Sequence, residues 1–161
     1  RFGEMLQKES SMGYVYQLAK HSRKMLEATI HGDTKTMEKI LEYAHNTEVP
    51  ILSYNHEVEL AAIVNLVYLS ARDYYRVERE DKAGTGFVDF IFYPYNKEEY
   101  PGIILELKID STPQEAIAQI NDKKYELRLK GKLGEKGLEQ IVKVGISYNK
   151  KTKSHQCKVE I

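Results

Sequence analysis

The chain has 161 residues, and its 24 Lys+Arg are balanced by 24 Asp+Glu, so the formal net charge is zero. That length allows one good core, or one domain with an appendage, and the neutral total excludes a globally basic nucleic-acid coat. A single Cys157 excludes an intrachain disulfide and fits a reducing, cytoplasmic setting. No apolar run approaches the ~18–20 residues of a spanning helix, and no secretory pattern opens the chain, so no membrane partner is expected. The zero conceals an asymmetry. Residues 1–107 carry 12 Lys+Arg against 17 Asp+Glu, a balance of −5, and residues 108–161 carry 12 against 7, a balance of +5. The basic second half could meet phosphates, or it could be an ordinary solvated lysine surface.

Residues 1–30 place Phe2, Met5, Leu6, Met12, Val15, Leu18, Met25, Leu26 and Ile30 at spacings of mostly three, four and seven, the helical period. Gly13 weakens the middle, and Gly32 ends the run. Asp33 is placed to cap a second helix with an apolar stripe at Met37, Ile40, Leu41 and Ala44. Asn46 to Pro50 break it. Residues 1–50 thus read as an α-helical arm or linker. Because the chain opens on Arg1 within such a helix, it is expected to be part of a longer protein.

Residues 56–72 are expected to form a third helix, apolar nearly all round from Val58 to Leu69 and therefore buried. Glu57 and Glu59 open it, where carboxylates complement the helix dipole. Alternation then predicts strands over 74–80, 87–93 and 102–109, with a turn at 81–84 and a loop at 94–101. Thr112-Pro113-Gln114-Glu115 is a strong helix start, combining a cap, a proline suited to the first helical position and a capping-box acid. Its stripe is Ala116, Ile117, Ile120 and Leu127. A Gly- and Lys-rich loop follows, then strands over 141–148 and 155–161. Short turns make the first three strands antiparallel, and the helical crossover allows the third and fourth to be parallel.

Charges break the apolar pattern between Gly84 and Lys108. Asp89 interrupts a strand that is apolar on both faces. Glu106 and Lys108, two residues apart, share one face of the next strand. In a meander Asp89 and Glu106 become neighbours, and two carboxylates ~4 Å apart repel by roughly 4 kcal/mol at an effective dielectric of 20. Sharing a proton, pairing with Lys108, or binding a hard cation such as Mg²⁺ or Mn²⁺ would relieve this. An acid–acid–lysine set with a divalent ion is the inventory for phosphodiester hydrolysis, and a purely structural buried network is the competing reading. His21, His31, His45, His56 and His155 show no zinc-ligand spacing, and Cys157 has no nearby histidine to activate it.

Gly84-Thr-Gly-Phe-Val-Asp89, then Glu106-Leu-Lys108, then Gln119-Ile-x-x-Lys-x-Tyr125, resembles the PD-(D/E)XK nuclease superfamily. The nearer likeness, which includes the strand–turn–strand text of residues 144–155, is to the nuclease-like domain C-terminal to an AAA-ATPase-like domain in many bacterial proteins. The resemblance covers residues 51–161 and implies an α/β, restriction-endonuclease-like αβββαβ core with a mixed sheet, the arm at 1–50 preceding it. By the same resemblance Asp89, Glu106 and Glu57 would be metal ligands for Mg²⁺ or Mn²⁺. Lys108 would be the catalytic lysine, and Gln119 and Tyr125 would contact substrate. Tyr125 stands six residues after Gln119 rather than the four common in relatives, and Phe87 stands where many carry Arg. The implied activity is metal-dependent hydrolysis of nucleic acid, DNA in the first instance. The alternative is a non-catalytic nucleic-acid or protein interaction module attached to an upstream ATPase-like domain. A homodimer is compatible with either reading.

Overall fold

Two periodicities set the architecture, 3.6 residues in the helices and two in the strands. The computed structural model describes residues 17, 19–48, 56–82, 87–123 and 140–161, with the side chains of 46–48, 56–59, 81–82, 87–88 and 123 outside the description. In chain order the elements are α1 (19–31), α2 (Thr34–Glu48), α3 (His56–Val67), a 3₁₀ turn (Leu69–Asp73), β1 (Tyr75–Lys82), β2 (Phe87–Pro94), β3 (Gly102–Ile109), α4 (Pro113–Lys123), β4 (Ile141–Asn149) and β5 (Ser154–Glu160). The five strands form one sheet in the order β1-β2-β3-β4-β5. β3 and β4 are parallel, joined through α4, and every other pair is antiparallel. The mixed sheet and αβββαβ order expected from the sequence are present.

Alternation divides the sheet into two faces. One presents Phe90, Phe92, Ile103, Leu105, Leu107, Val142, Val144 and Ile146 to α1, α2 and α3, whose Met25, Met37, Leu41, Leu60, Ile63 and Val64 complete the main core. The other presents Ile91, Tyr93 and Ile104 to Ile117 and Ile120 of α4. Burying a residue of this size stabilises by about 1.5–3 kcal/mol, so each face is strongly specified. A one-residue register slip would exchange the faces and place Asp89 and Glu106 in the main core.

Several boundaries differ from the sequence reading for identifiable reasons. α3 stops at Val67 instead of continuing to residue 72. The Tyr68 hydroxyl lies 2.7 Å from Thr29 Oγ1, and the Ser70 N–H donates to Ser22 Oγ at 3.2 Å. These bonds to α1 favour the tighter 3₁₀ turn. β1 continues to Lys82, because pairing with β2 from Tyr75↔Pro94 to Lys82↔Phe87 outweighs the polarity of Asp81 and Lys82. α2 runs on to Glu48, past Asn46. Gly32 does end α1, with φ 72°, and Asp33 does cap α2, its Oδ1 accepting the Thr36 N–H at 3.3 Å. The pattern proposed for residues 1–16, residues 83–84 of the turn expected at 81–84, and the loop at 124–139 lie outside the described residues.

The helical segment is bonded to the last strand. β5 is an edge strand, and two of its N–H groups donate to carboxylates of α2: His155 N to Glu42 Oε1 at 2.9 Å and Cys157 N to Glu38 Oε2 at 3.0 Å. Edge groups that could pair with another chain are thereby occupied. Beneath them His45 Nδ1 lies 2.9 Å from His155 Nε2, with both rings buried against Tyr148. His155 Nδ1 faces Glu42 Oε1 at 3.4 Å. One arrangement gives each of these contacts a donor and an acceptor with both rings neutral: His155 Nδ1–H points to Glu42, and His45 Nδ1–H donates to His155 Nε2. Burial, then the neighbouring His45, lowers the His155 pKa to about 4, with Glu42 acting in the opposite sense.

The folded chain therefore favours neutral His155, whereas the unfolded chain protonates it near pH 6.5. This contribution is fully present above about pH 7, declines as the pH falls below 6.5 and is lost near pH 4. Urea denaturation should lose about 2 kcal/mol from this source between pH 7.5 and 5. His155→Leu should flatten that part of the profile. A wild-type profile no steeper than the variant's would contradict the assignment.

Candidate active site

The face under α4 is built to carry charge at one end. Its inward positions on β2 and β3 run Tyr93, Ile91, Asp89 and Gly102, Ile104, Glu106, Lys108. The apolar members lie under α4, and the sequence turns polar where the strands pass beyond its stripe. The register pairs Asp89 directly with Glu106. Directly opposite residues hold their Cβ atoms about 4.5–5.5 Å apart, so the two carboxylates share one space. Asp89 is 1 % exposed, Glu106 0 % and Lys108 5 %. Three ionisable side chains thus lie in a solvent-poor corner, where a charge costs several kcal/mol unless it is compensated. Asp89 Oδ1 and Glu106 Oε2 receive no hydrogen bond from the described residues, though both residues hold other interactions.

α4 reaches this corner because Gly145 lets it. Gly145 on β4 is the register partner of Glu106. A Cβ built there would lie 2.3 Å from the Pro113 carbonyl oxygen and 3.0 Å from Ala116 Cβ. The missing side chain is the space the first turn of α4 occupies. That turn is capped as the sequence indicates, with the Glu115 N–H donating to Thr112 Oγ1 at 3.1 Å. The Glu115 side chain does not fold back to the cap, however. It accepts a hydrogen bond from Ser111 Oγ, and its Oε2 lies 3.9 Å from Lys108 Nζ. An acid from α4 thus lies at the outer limit of ion-pair distance from Lys108. The buried Ser147 is its register partner on β4.

Of the residues the sequence singled out, the structure brings together Asp89, Glu106 and Lys108. Gln119 lies on α4 one turn beyond Glu115, with a buried Oε1 that accepts no hydrogen bond from the described residues. Glu57 opens α3, but its side chain lies outside the described residues, as does Tyr125 altogether. Asp110 does not continue the charged face of β3. It sits past the strand with φ 54° and binds the β4–β5 turn instead. Two acids escaped the sequence reading. Glu115 was legible only as a helix cap. Glu80, opposite Asp89 on β1, belonged to a strand expected to end there. Its alternation with Arg76 and Glu78 was the available signal.

The pair suits a hard divalent ion. Mg²⁺ takes one or two carboxylates and keeps its waters, whereas a closed zinc cage needs three or four converging N or S ligands. Among the described residues no three His, Cys, Asp or Glu side chains converge in that way. The two carboxylates present fit the first kind of ion. Cys157 is no nucleophile, since burial and then the nearby Glu38 carboxylate raise its pKa.

A mixed five-stranded sheet between helical layers is consistent with a restriction-endonuclease-like fold, and its sheet carries opposed acids with a lysine two residues beyond one of them. The family model of the PD-(D/E)XK nuclease superfamily matches residues 56–157, well over half the chain. The chain belongs to that superfamily, whose members are generally nucleases that use divalent metals. No curated protein matches it. No helix among the described residues is long and apolar enough to cross a membrane.

Gly145→Ala should displace α4 or strain β4, because the clash is with backbone rather than a yielding side chain. Overpacking of this kind costs about 1–3 kcal/mol. Urea denaturation should show a loss of about 2 kcal/mol, and a change below ~0.5 kcal/mol, the range of neutral surface substitutions, would contradict the packing described.

Proposed function

We propose that the protein is a metal-dependent nuclease that hydrolyses phosphodiester bonds in DNA. The observation that carries this reading is the direct opposition of buried Asp89 and Glu106, with Lys108 on the same face two residues away. In this reading Asp89 and Glu106 hold Mg²⁺ or Mn²⁺, with Glu57 from the start of α3 as a further ligand. The ion, when bound, lowers the pKa of a water and offsets charge on the phosphate.

The side chains of the chain do the rest. The two carboxylates hold the site in one place through the strand register. Lys108, with Glu115 nearby, directs its ammonium toward the charge that develops on the attacked phosphate, or holds the attacking water. Gln119 on α4 and Tyr125 beyond it contact substrate. The acids also repel a polyanion, and the cation and the basic half of the chain each offset that repulsion.

Four further assignments belong to the same reading, the cytoplasmic setting resting on the single cysteine and the ATPase-like neighbour on the resemblance. They are an upstream AAA-ATPase-like domain, a homodimer, a cytoplasmic setting and a boundary near residue 50 between helical arm and nuclease domain. α1 and α2 would then be an arm folded onto the sheet, since both contribute to its main core.

Plasmid nicking in Mg²⁺ or Mn²⁺ tests the activity. Asp89→Ala and Lys108→Ala, each verified as folded, should nick at least ~100-fold more slowly, the scale of losing one group that stabilises transition-state charge. Equal rates for wild type and both variants would remove the reading.

A further inference from the structure

The corner beside the candidate site carries a second feature, the lysine-rich turn between β4 and β5. β3 and β4 are parallel, so their C-terminal ends coincide, with Lys108 opposite Ser147 and Ile109 opposite Tyr148. The Asp110 N–H then donates to the Tyr148 carbonyl at 2.8 Å. The Asp110 carboxylate accepts the Lys150 N–H at 3.0 Å and pairs with Lys150 Nζ at 3.2 Å. Within the turn, Asn149 Oδ1 accepts the N–H groups of Lys151 at 2.9 Å and Thr152 at 3.1 Å, and Thr152 Oγ1 lies 2.7 Å from Ser154 Oγ. Asp110 with φ 54° and Lys153 with φ 55° are the non-glycine residues of positive φ among the described residues, and both belong to this corner.

Three exposed lysines are thus fixed within four residues. Lys150 has Asp110 as its partner, whereas no acid among the described residues pairs with Lys151 or Lys153. Crowding like charges is itself unfavourable. The arrangement is compensated when an anion array is its partner. β4 ends at Asn149, so Lys151 stands in the turn, two residues past the end of the strand whose Ser147 neighbours Lys108.

We infer that the Lys150–Lys153 turn is a phosphate clamp for duplex DNA. It grips the backbone beside the phosphodiester presented to Lys108, since the turn follows the strand that neighbours Lys108. The inference rests on the nuclease reading for its substrate and adds a site outside the acid–acid–lysine set. Asp110 is its positioning residue, joining the end of the Lys108 strand to the turn.

Fluorescence anisotropy with a labelled DNA duplex in EDTA, over a series of salt concentrations, tests binding without cleavage. Lys151→Gln/Lys153→Gln should weaken binding at least about tenfold and reduce the slope of log K against log salt by about 1.8, two phosphate contacts' worth. Lys39→Gln on α2 should change neither. A double variant with wild-type affinity and slope overturns the clamp, as does a wild type that binds no duplex. A slope change seen with single-stranded RNA and not with the duplex overturns the DNA assignment. Plasmid cleavage in Mg²⁺, measured separately, keeps the two readings apart. A cleaving wild type with an unaffected double variant removes the clamp alone, and duplex binding through the turn without any cleavage removes the nuclease alone.

Discussion

The constraint on which the rest of the structure depends is the placement of Asp89 and Glu106 opposite each other inside a sheet. At ~4 Å two carboxylates repel by roughly 4 kcal/mol at an effective dielectric of 20, a large part of the 5–15 kcal/mol that holds a typical domain together. A shared proton, Lys108 or a cation can relieve this, and the surrounding register must still hold the two acids in place. The apolar alternation of β2 and β3 supplies that, since a slip of one residue would move the acids into the main core and expose Phe90, Phe92 and Leu105 to α4. The main core thus holds the strands so firmly that the opposite face can carry charge.

The same logic explains how the two helical layers divide their work. α1, α2 and α3 bury the large apolar face, and α2 also occupies two edge N–H groups of β5 with Glu38 and Glu42. α4 buries far less and is placed by detail. Gly145 makes room for it, Thr112 caps it, and Glu115 in its first turn reaches Lys108. One layer supplies stability and the other supplies position.

Much of this was legible in the sequence. The order of elements, the parallel crossover, the Gly32 stop, the Asp33 and Thr112 caps and the grouping of Asp89, Glu106 and Lys108 all follow from periodicity and turn chemistry. What was not legible depends on contacts between distant segments. α3 ends at Val67 because Tyr68 and Ser70 find partners on α1. Glu115 becomes the partner of Lys108 only once Gly145 lets α4 descend onto β4. His45 and His155 are 110 residues apart, and nothing in either neighbourhood announces a pair. Asp110 fits the alternation of β3 yet leaves the strand, since its left-handed backbone and its bonds to Lys150 outweigh the pattern.

The central claim is that the opposed acids are a cation site and not a strained structural pair. A crystal of the protein soaked in Mn²⁺, with anomalous scattering to locate the ion, tests it most directly. The account predicts one ion bound by oxygens of both Asp89 and Glu106 at roughly 2.1 Å, with waters completing an octahedral shell. Anomalous density elsewhere, with the acid pair closed by Lys108 alone, would contradict it.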